Sequence, residues 1–277
     1  MSHFTLASAL LLGLLGFGVG VLGTLVGAGG GFILTPVLLV LYPGSSPQLI
    51  TAISLAVVFF NAASGSAAYL RQRRVDVRSG ALFAACALPA SVVGVLLADR
   101  VSRPTFDAIM GAALAALAVW LLAGGGGDRG AAPDRGGRQR TIVDRDGRTY
   151  RYRPRTGLGA VSSLLVGFAS SFLGIGGGVV HVPLLVGVLG FPTHVATATS
   201  HFVLAFMALV ATLVHVASGS FRHGVGVRRA AALSVGVIAG AQVGAWLSRR
   251  FSGRAIRRLL ALALLALGLR LIVSFAL

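Results

Sequence analysis

The residues that could do chemistry fall into two matched sets. GAGGGFILTP at 27–36 and GIGGGVVHVP at 174–183 each place three glycines and then a proline inside an otherwise apolar run, 147 residues apart. Glycine is conformationally costly inside a helix, so such a cluster needs a reason. One reason is close helix packing through small residues. The other is a broken helix whose free amides line a cavity, the setting in which irregular backbone survives at membrane depth. On the second reading Gly29, Gly30, Gly31 and Gly176, Gly177, Gly178 open short helices. Their unpaired N–H groups and positive dipole ends favour an anion, and Pro36 and Pro183 lie near the helix starts, where proline is best tolerated. A second matched set supplies hydroxyls. Thr51 and Ser54 correspond to Thr197 and Ser200, 146 residues on; each pair is three apart and shares a helix face. Asn61 and Thr199 add polar groups. A lone Ser or Thr in a bilayer usually bonds its own preceding turn; beside the glycine breaks these pairs become candidates to line a route.

Four histidines, His181, His194, His201 and His215, sit in apolar segments of the second half. They read either as structural groups or as protonatable partners of an anion, with His181 and His201 flanking the repeated motifs. Without a neighbouring carboxylate or thiolate a metal site is not expected, and no cofactor is implied. Ala62-Ala63-Ser64-Gly65 has the outline of a rhomboid-like serine hydrolase site, with His201 or His215 as base; the duplicated glycines have no place in that alternative. A passive anion channel is a third reading. Cys86 is the only cysteine and reads as a small buried hydrophobe.

The elements that must hold these residues are membrane spans. Hydrophobic residues make up 56% of the 277 and charged residues 11%, against about 25% charged in soluble domains. Apolar segments occupy 4–26, 31–42, 47–69, 79–98, 104–123, 157–173, 178–191, 194–217, 226–247 and 254–276. Most suit a bilayer core of about 30 Å; the segments after the glycine clusters are too short. The stretch 8–42 as one helix would be about 53 Å long, so a span, a break and a short returning arm fit better. Five elements per half would make the halves inverted repeats; four per half would make them parallel, and the arginine distribution does not separate the two.

All basic residues are Arg and all acidic ones Asp, with a net charge of +17. Of these, 9 Arg and 4 Asp lie in 124–156, an Arg-rich loop expected on the cytoplasmic side. Thr141–Val143, a turn at 144–147 and Arg148–Tyr152 suit a small β-hairpin there. Because the arginines lie between apolar runs, they call for a lipid surface and no nucleic acid. The chain thus divides into a first repeat at 1–123, the loop at 124–156 and a second repeat at 157–277. The expected fold is an all-α polytopic membrane protein with 8–10 elements and glycine-broken helices.

The paired glycine motifs, with TAIS at 51–54 and TATSH at 197–201, resemble the signature of the sulfite exporter TauE/SafE family, over essentially the whole chain except the loop. The resemblance implies a multi-pass permease of the bacterial inner membrane, with about eight spans, moving sulfite or an organosulfonate. On that basis the expected protein is a secondary transporter of a small anion, bound between the two glycine breaks, and not an enzyme.

Overall fold

A computed structural model describes residues 5–98, 100–122, 139–221 and 224–251, together with Leu262, Leu265 and Ala266. Among these, the first half forms α1 (Leu6–Val26), α2 (Gly31–Leu41), α3 (Pro47–Arg71), α4 (Val77–Ala98) and α5 (Arg103–Leu122). A hairpin of β1 (Arg140–Val143) and β2 (Thr149–Tyr152) follows. The second half forms α6 (Thr156–Leu173), α7 (Gly178–Gly187), α8 (Thr193–Ala217) and α9 (Val225–Leu247). Of these, α1, α3, α4, α6, α8 and α9 are long and apolar enough to cross a membrane, whereas α2 and α7 are short. The loop stretch 124–138 and, apart from those three residues, the apolar segment 254–276 lie outside the described residues, as does Asp99.

Local chemistry explains several boundaries. Thr5 caps α1 through Ser8 N–H at 3.2 Å, and Ser46 caps α3 through Leu49 N–H, with Pro47 at the first helical position. Asp76 caps α4 through Ser79 N–H at 3.0 Å. Pro36 is the sixth residue of α2 and Pro183 the sixth of α7. That lies beyond the amides left free in a first turn, so each proline deprives a carbonyl four residues earlier, Phe32 or Val179, of its usual donor.

The helices pack in three pairs that cross between the halves. Where α1 meets α9, glycines let backbones touch: a Cβ on Gly20 would lie 2.7 Å from the Val237 carbonyl oxygen, while Gly16 abuts Leu233 and Gly244 abuts Val21. Numbers rise together along this seam, so α1 and α9 run parallel. The α4–α6 seam is also parallel, with Gly159 against Phe83 and Gly94 against Phe168. The helices α3 and α8 run antiparallel: Gly65 meets His201, and Leu55 clusters with Ala211. These two are the centre of the molecule. Outward faces of α1, α4, α6 and α9 expose Leu10, Leu14, Val93, Leu165 and Val235, as lipid contact requires.

The hairpin, with Arg140 paired to Tyr152 and Val143 to Thr149, packs where α3 ends, α4 and α8 begin and α9 ends. Asp76 accepts from Arg140, from the Tyr152 hydroxyl at 2.9 Å and from the Ser79 hydroxyl at 2.9 Å. Arg145 N–H donates to the Gln72 carbonyl, and Arg249 pairs with Asp146 at 2.6 Å. Burial and the Asp76 carboxylate push the Tyr152 hydroxyl well above the ordinary phenol range. At the opposite end of the bundle, Arg103 pairs with Asp107 and donates to the carbonyls of Leu39, Pro43 and Ser45, closing the end of α2. Thus α1 and α3 both run toward the hairpin end, and α2 returns between them toward the Arg103 end.

Candidate functional site

Both glycine clusters are helix breaks, and they cross each other. Gly27 ends α1 in the left-handed region, and Gly29 and Gly30 follow at φ 74° and 80°. In the second break Gly174 and Gly176 lie at φ 65° and 70°, but Gly177 is an ordinary right-handed residue at φ −55°. Gly31 packs on Ile175, whose carbonyl oxygen lies 2.6 Å from where a Cβ would stand; Gly178 packs on Gly27 and Ala28. Any side chain at either position would force the strands of backbone apart. The N–H groups of Gly30, Gly31 and Phe32, and of Gly177, Gly178 and Val179, donate to no backbone carbonyl among the described residues. Buried amides of this kind are costly unless a ligand or water takes them. Val58 and Leu204 flank the crossing, Val58 against Gly31 and Gly176 and Leu204 against Gly29, and with Ala62 and Ala208 they make an apolar cluster beside it.

The four hydroxyl residues reach across the halves. Thr51 packs on Gly174, and Thr197 packs on Gly27. The Ser54 hydroxyl donates to the Gly174 carbonyl at 2.8 Å, joined there by Thr35 at 2.6 Å; Ser200 donates to the Gly27 carbonyl at 3.2 Å. Ser54 and Ser200 therefore hold the breaks in place. Thr51 spends its proton on the Gln48 carbonyl at 3.0 Å, whereas the Thr197 hydroxyl is buried with no partner. Thr199 accepts from Asp76 N–H at 3.0 Å, tying α8 to the start of α4.

On the hairpin side of the crossing, α1, α3 and α8 bring together a polar cluster. Thr24 donates to Asn61 Oδ1 at 3.0 Å and lies 3.3 Å from His201 Nε2. Tyr69 donates to the Thr24 carbonyl at 2.7 Å and meets the His201 ring edge-on. Thr24, Asn61, Tyr69 and His201 are all fully buried. Because the Thr24 proton goes to Asn61, the His201 contact is satisfied by an Nε2–H donating to Thr24, which leaves Nδ1 as the bare nitrogen of the neutral ring. Nδ1 has no partner, and neither has Asn61 Nδ2. An amide N–H, a threonine hydroxyl and a protonatable nitrogen thus stand unengaged next to one glycine break.

The other histidines lie elsewhere. His181, on α7, approaches Ser163 at 3.4 Å and meets the Phe83 ring edge-on. His215 lies 3.2 Å from Ser220 through Nδ1. Its 14-residue separation from His201 along α8 is about 21 Å, and His194 is about 10 Å from His201 on the same count, so the three cannot pass a proton directly. Ser64 donates to the Ile238 carbonyl at 2.9 Å and accepts from Gln242 at 2.8 Å, which ties α3 to α9 in place of a catalytic pairing. Among the described residues no three His, Cys, Asp or Glu side chains gather as metal ligands.

Asn61 and His201 were identifiable as polar residues in apolar segments, but Thr24 and Tyr69 were not. Neither belongs to a repeated block, and only the packing of α1 on α3 and α8 brings them in.

A family profile described as sulfite exporter TauE/SafE matches residues 12–271. A probable membrane transporter protein of Bacillus subtilis, YunE, is 29% identical over 271 residues, covering 96% of this chain and 97% of that protein. A probable membrane transporter protein of Xylella fastidiosa is 28% identical over 241 residues, covering 87% and 83%. One of Methanocaldococcus jannaschii is 22% identical over 269 residues, covering 94% and 93%. No solved structure gives a significant match.

Proposed function

The chain belongs to the sulfite exporter TauE/SafE family of membrane transporters, and from that premise we propose that it moves a small sulfur oxyanion, sulfite or an organosulfonate, through the crossing of its two glycine breaks. It is a multi-pass membrane transporter and not an enzyme. The observation that carries the substrate reading is the set of unengaged groups beside the first break: Asn61 Nδ2, the Thr197 hydroxyl and His201 Nδ1, all buried. Leaving three polar groups unpaired in a membrane interior costs several kcal/mol in all, at about 1–3 kcal/mol each. A ligand rich in acceptor oxygens removes that cost by taking the amide and hydroxyl protons, and the free amides at Gly30–Phe32 and Gly177–Val179 add further donors.

His201 then couples a proton to the anion. Neutral, it offers a lone pair at Nδ1 and repels an oxyanion; once protonated there, it becomes a donor and a positive charge. Anion and proton therefore occupy the cluster together. His181, in its own setting of Ser163 and Phe83, has no part in this step.

Residues 1–123 and 157–277 form inverted repeats on this reading. The support is the antiparallel packing of α3 on α8, which carry the matching blocks TAIS and TATSH: two equivalent spans entering from opposite sides must run in opposite directions. The hairpin end, with Arg71, Arg73, Arg74, Arg78, Arg249 and Arg250 around it, is the cytoplasmic end. The substrate class is tested by counterflow of labelled sulfite in proteoliposomes holding the purified protein. Exchange accelerated by internal sulfite or taurine-derived sulfonate is expected, with His201→Gln flattening its pH dependence and His181→Gln leaving it intact. Absence of counterflow for every sulfur oxyanion overturns the reading, and flux without exchange assigns a channel.

A further inference from the structure

Arg74 lies in the turn between α3 and α4 with only 2% of its surface exposed. Its backbone N–H bonds the Tyr69 carbonyl at 3.2 Å, so the side chain starts one turn from the polar cluster. Among the described residues the guanidinium's partners are both on Nη1: Gln72 Oε1 at 3.0 Å and the Ser248 hydroxyl at 3.3 Å, both neutral. Ser248 in turn gives its proton to the Ala245 carbonyl. Nε is buried with no partner, and Nη2 makes no bond to a described residue. The described carboxylates are engaged elsewhere. Asp76 serves Arg140, Tyr152 and Ser79; Asp107 serves Arg103; Asp144 closes its own turn; Asp146 pairs with Arg249.

A buried guanidinium with neutral neighbours carries a desolvation cost that a counter-ion must offset. The edge left open, Nε with Nη2, is the parallel pair of N–H groups that grips two oxygens of one oxyanion. The partners already made fix the side chain through Nη1, so this edge is held ready. We propose that Arg74 is an oxyanion site at the hairpin end of the protein, separate from the crossing of the breaks. It captures a sulfur oxyanion or the chemically equivalent phosphate of a lipid headgroup. With sulfite as its ligand it rests on the transport reading above, and serves as the station from which the anion reaches the Tyr69 side of the cluster. The hairpin turn is tied to the same anchor, since Arg145 N–H donates to the Gln72 carbonyl and the Gln72 side chain holds Arg74.

The test uses full-length protein carrying Asn61→Met, which weakens the central cluster, so that a further loss on changing Arg74 is read against a lowered background. Sulfite affinity in delipidated detergent solution, and retention of phosphatidylglycerol by native mass spectrometry, are compared with and without Arg74→Gln. Loss of sulfite binding by about tenfold or more in the double variant supports the site with a soluble ion. Loss of the retained lipid instead supports it with a headgroup phosphate. No change in either overturns it. Arg74→Lys keeps the charge and loses the fork; about threefold weaker binding is expected, and unaltered binding overturns the proposal even if Arg74→Gln does not fold. Wild-type protein without sulfite flux defeats the transport reading alone, because the binding comparison still decides the site.

Discussion

The two ends of the central helix pair share a backbone plan and differ in chemistry. Toward the hairpin end the crossing is bordered by Thr24, Asn61, His201 and Tyr69. The residues 147 or 146 positions away in the other half are Ser171, Met207, Leu55 and His215. Leu55 clusters with Val95 and Ala211, Met207 belongs to the apolar core of α4, α7 and α8, and the Ser171 hydroxyl has no partner. The backbone features recur on both sides: a break after the first helix, a serine holding the opposite break, a threonine packed on its first glycine. The side chains along the route diverge, and the backbone does so at one point, with Gly30 at φ 80° and Gly177 at φ −55°. The lesson is that the repeated frame supplies two openings of similar plan, while unrepeated side chains gather Thr24, Asn61, Tyr69 and His201 on one side and set Leu55 and Met207 beside Ser171 and His215 on the other.

The ends also differ in how they are closed, and the largest effect is expected there. Asp76→Asn removes the charge that gathers Arg140, Tyr152 and Ser79, and should lower stability by about 3 kcal/mol while opening the hairpin arginines to trypsin. A thermal midpoint and cleavage rate equal to wild type would show that the hairpin is held by something else. The breaks come next. Gly30 lies at φ 80° with the Val19 carbonyl oxygen 2.9 Å from a built Cβ, whereas Gly177 has ordinary φ and meets side-chain atoms of Val166, Met207 and Ser170 and no backbone. Gly30→Ala should cost about 2 kcal/mol and Gly177→Ala under about 1, read as thermal unfolding in detergent; equal losses would erase the distinction between the openings. The smallest contrast concerns the serines. Ser200 is the side-chain donor to the Gly27 carbonyl, while Thr35 remains on the Gly174 carbonyl when Ser54 is lost. Ser200→Ala should therefore cost about 1 kcal/mol more than Ser54→Ala, and the reverse order would contradict the bonding described.

Much of the frame is legible in the chain itself. Uninterrupted apolar runs mark the helices within a few residues, glycine triplets mark both breaks, and the Thr-Ile-Val and Thr-Tyr-Arg-Tyr alternation marks the hairpin. These features are local, and duplication prints each break twice. What joins them is not local. The parallel pairing of α1 with α9 depends on glycines meeting backbone 217 positions away, as in Gly20 against Val237 and Gly16 against Leu233. Thr24 reaches His201 across 177 residues. Neither periodicity nor spacing encodes such a contact. Arg74 was one arginine among many in a loop-like stretch until burial and an open guanidinium edge set it apart. Ser54 and Ser200 carried the reverse lesson: their repetition pointed to the ligand, yet their hydroxyls are spent on the opposite backbone.

The central claim is that the unrepeated polar cluster, more than the shared breaks, binds the transported anion. The most direct measurement is initial sulfite flux into proteoliposomes for the reciprocal exchanges Asn61→Met and Met207→Asn, each introducing the residue found at the equivalent position. Asn61→Met should reduce flux by about tenfold to a hundredfold, the loss of one or two hydrogen bonds to a charged ligand, and Met207→Asn should leave it within about twofold. Flux that survives Asn61→Met, or that falls equally in both variants, would contradict the claim.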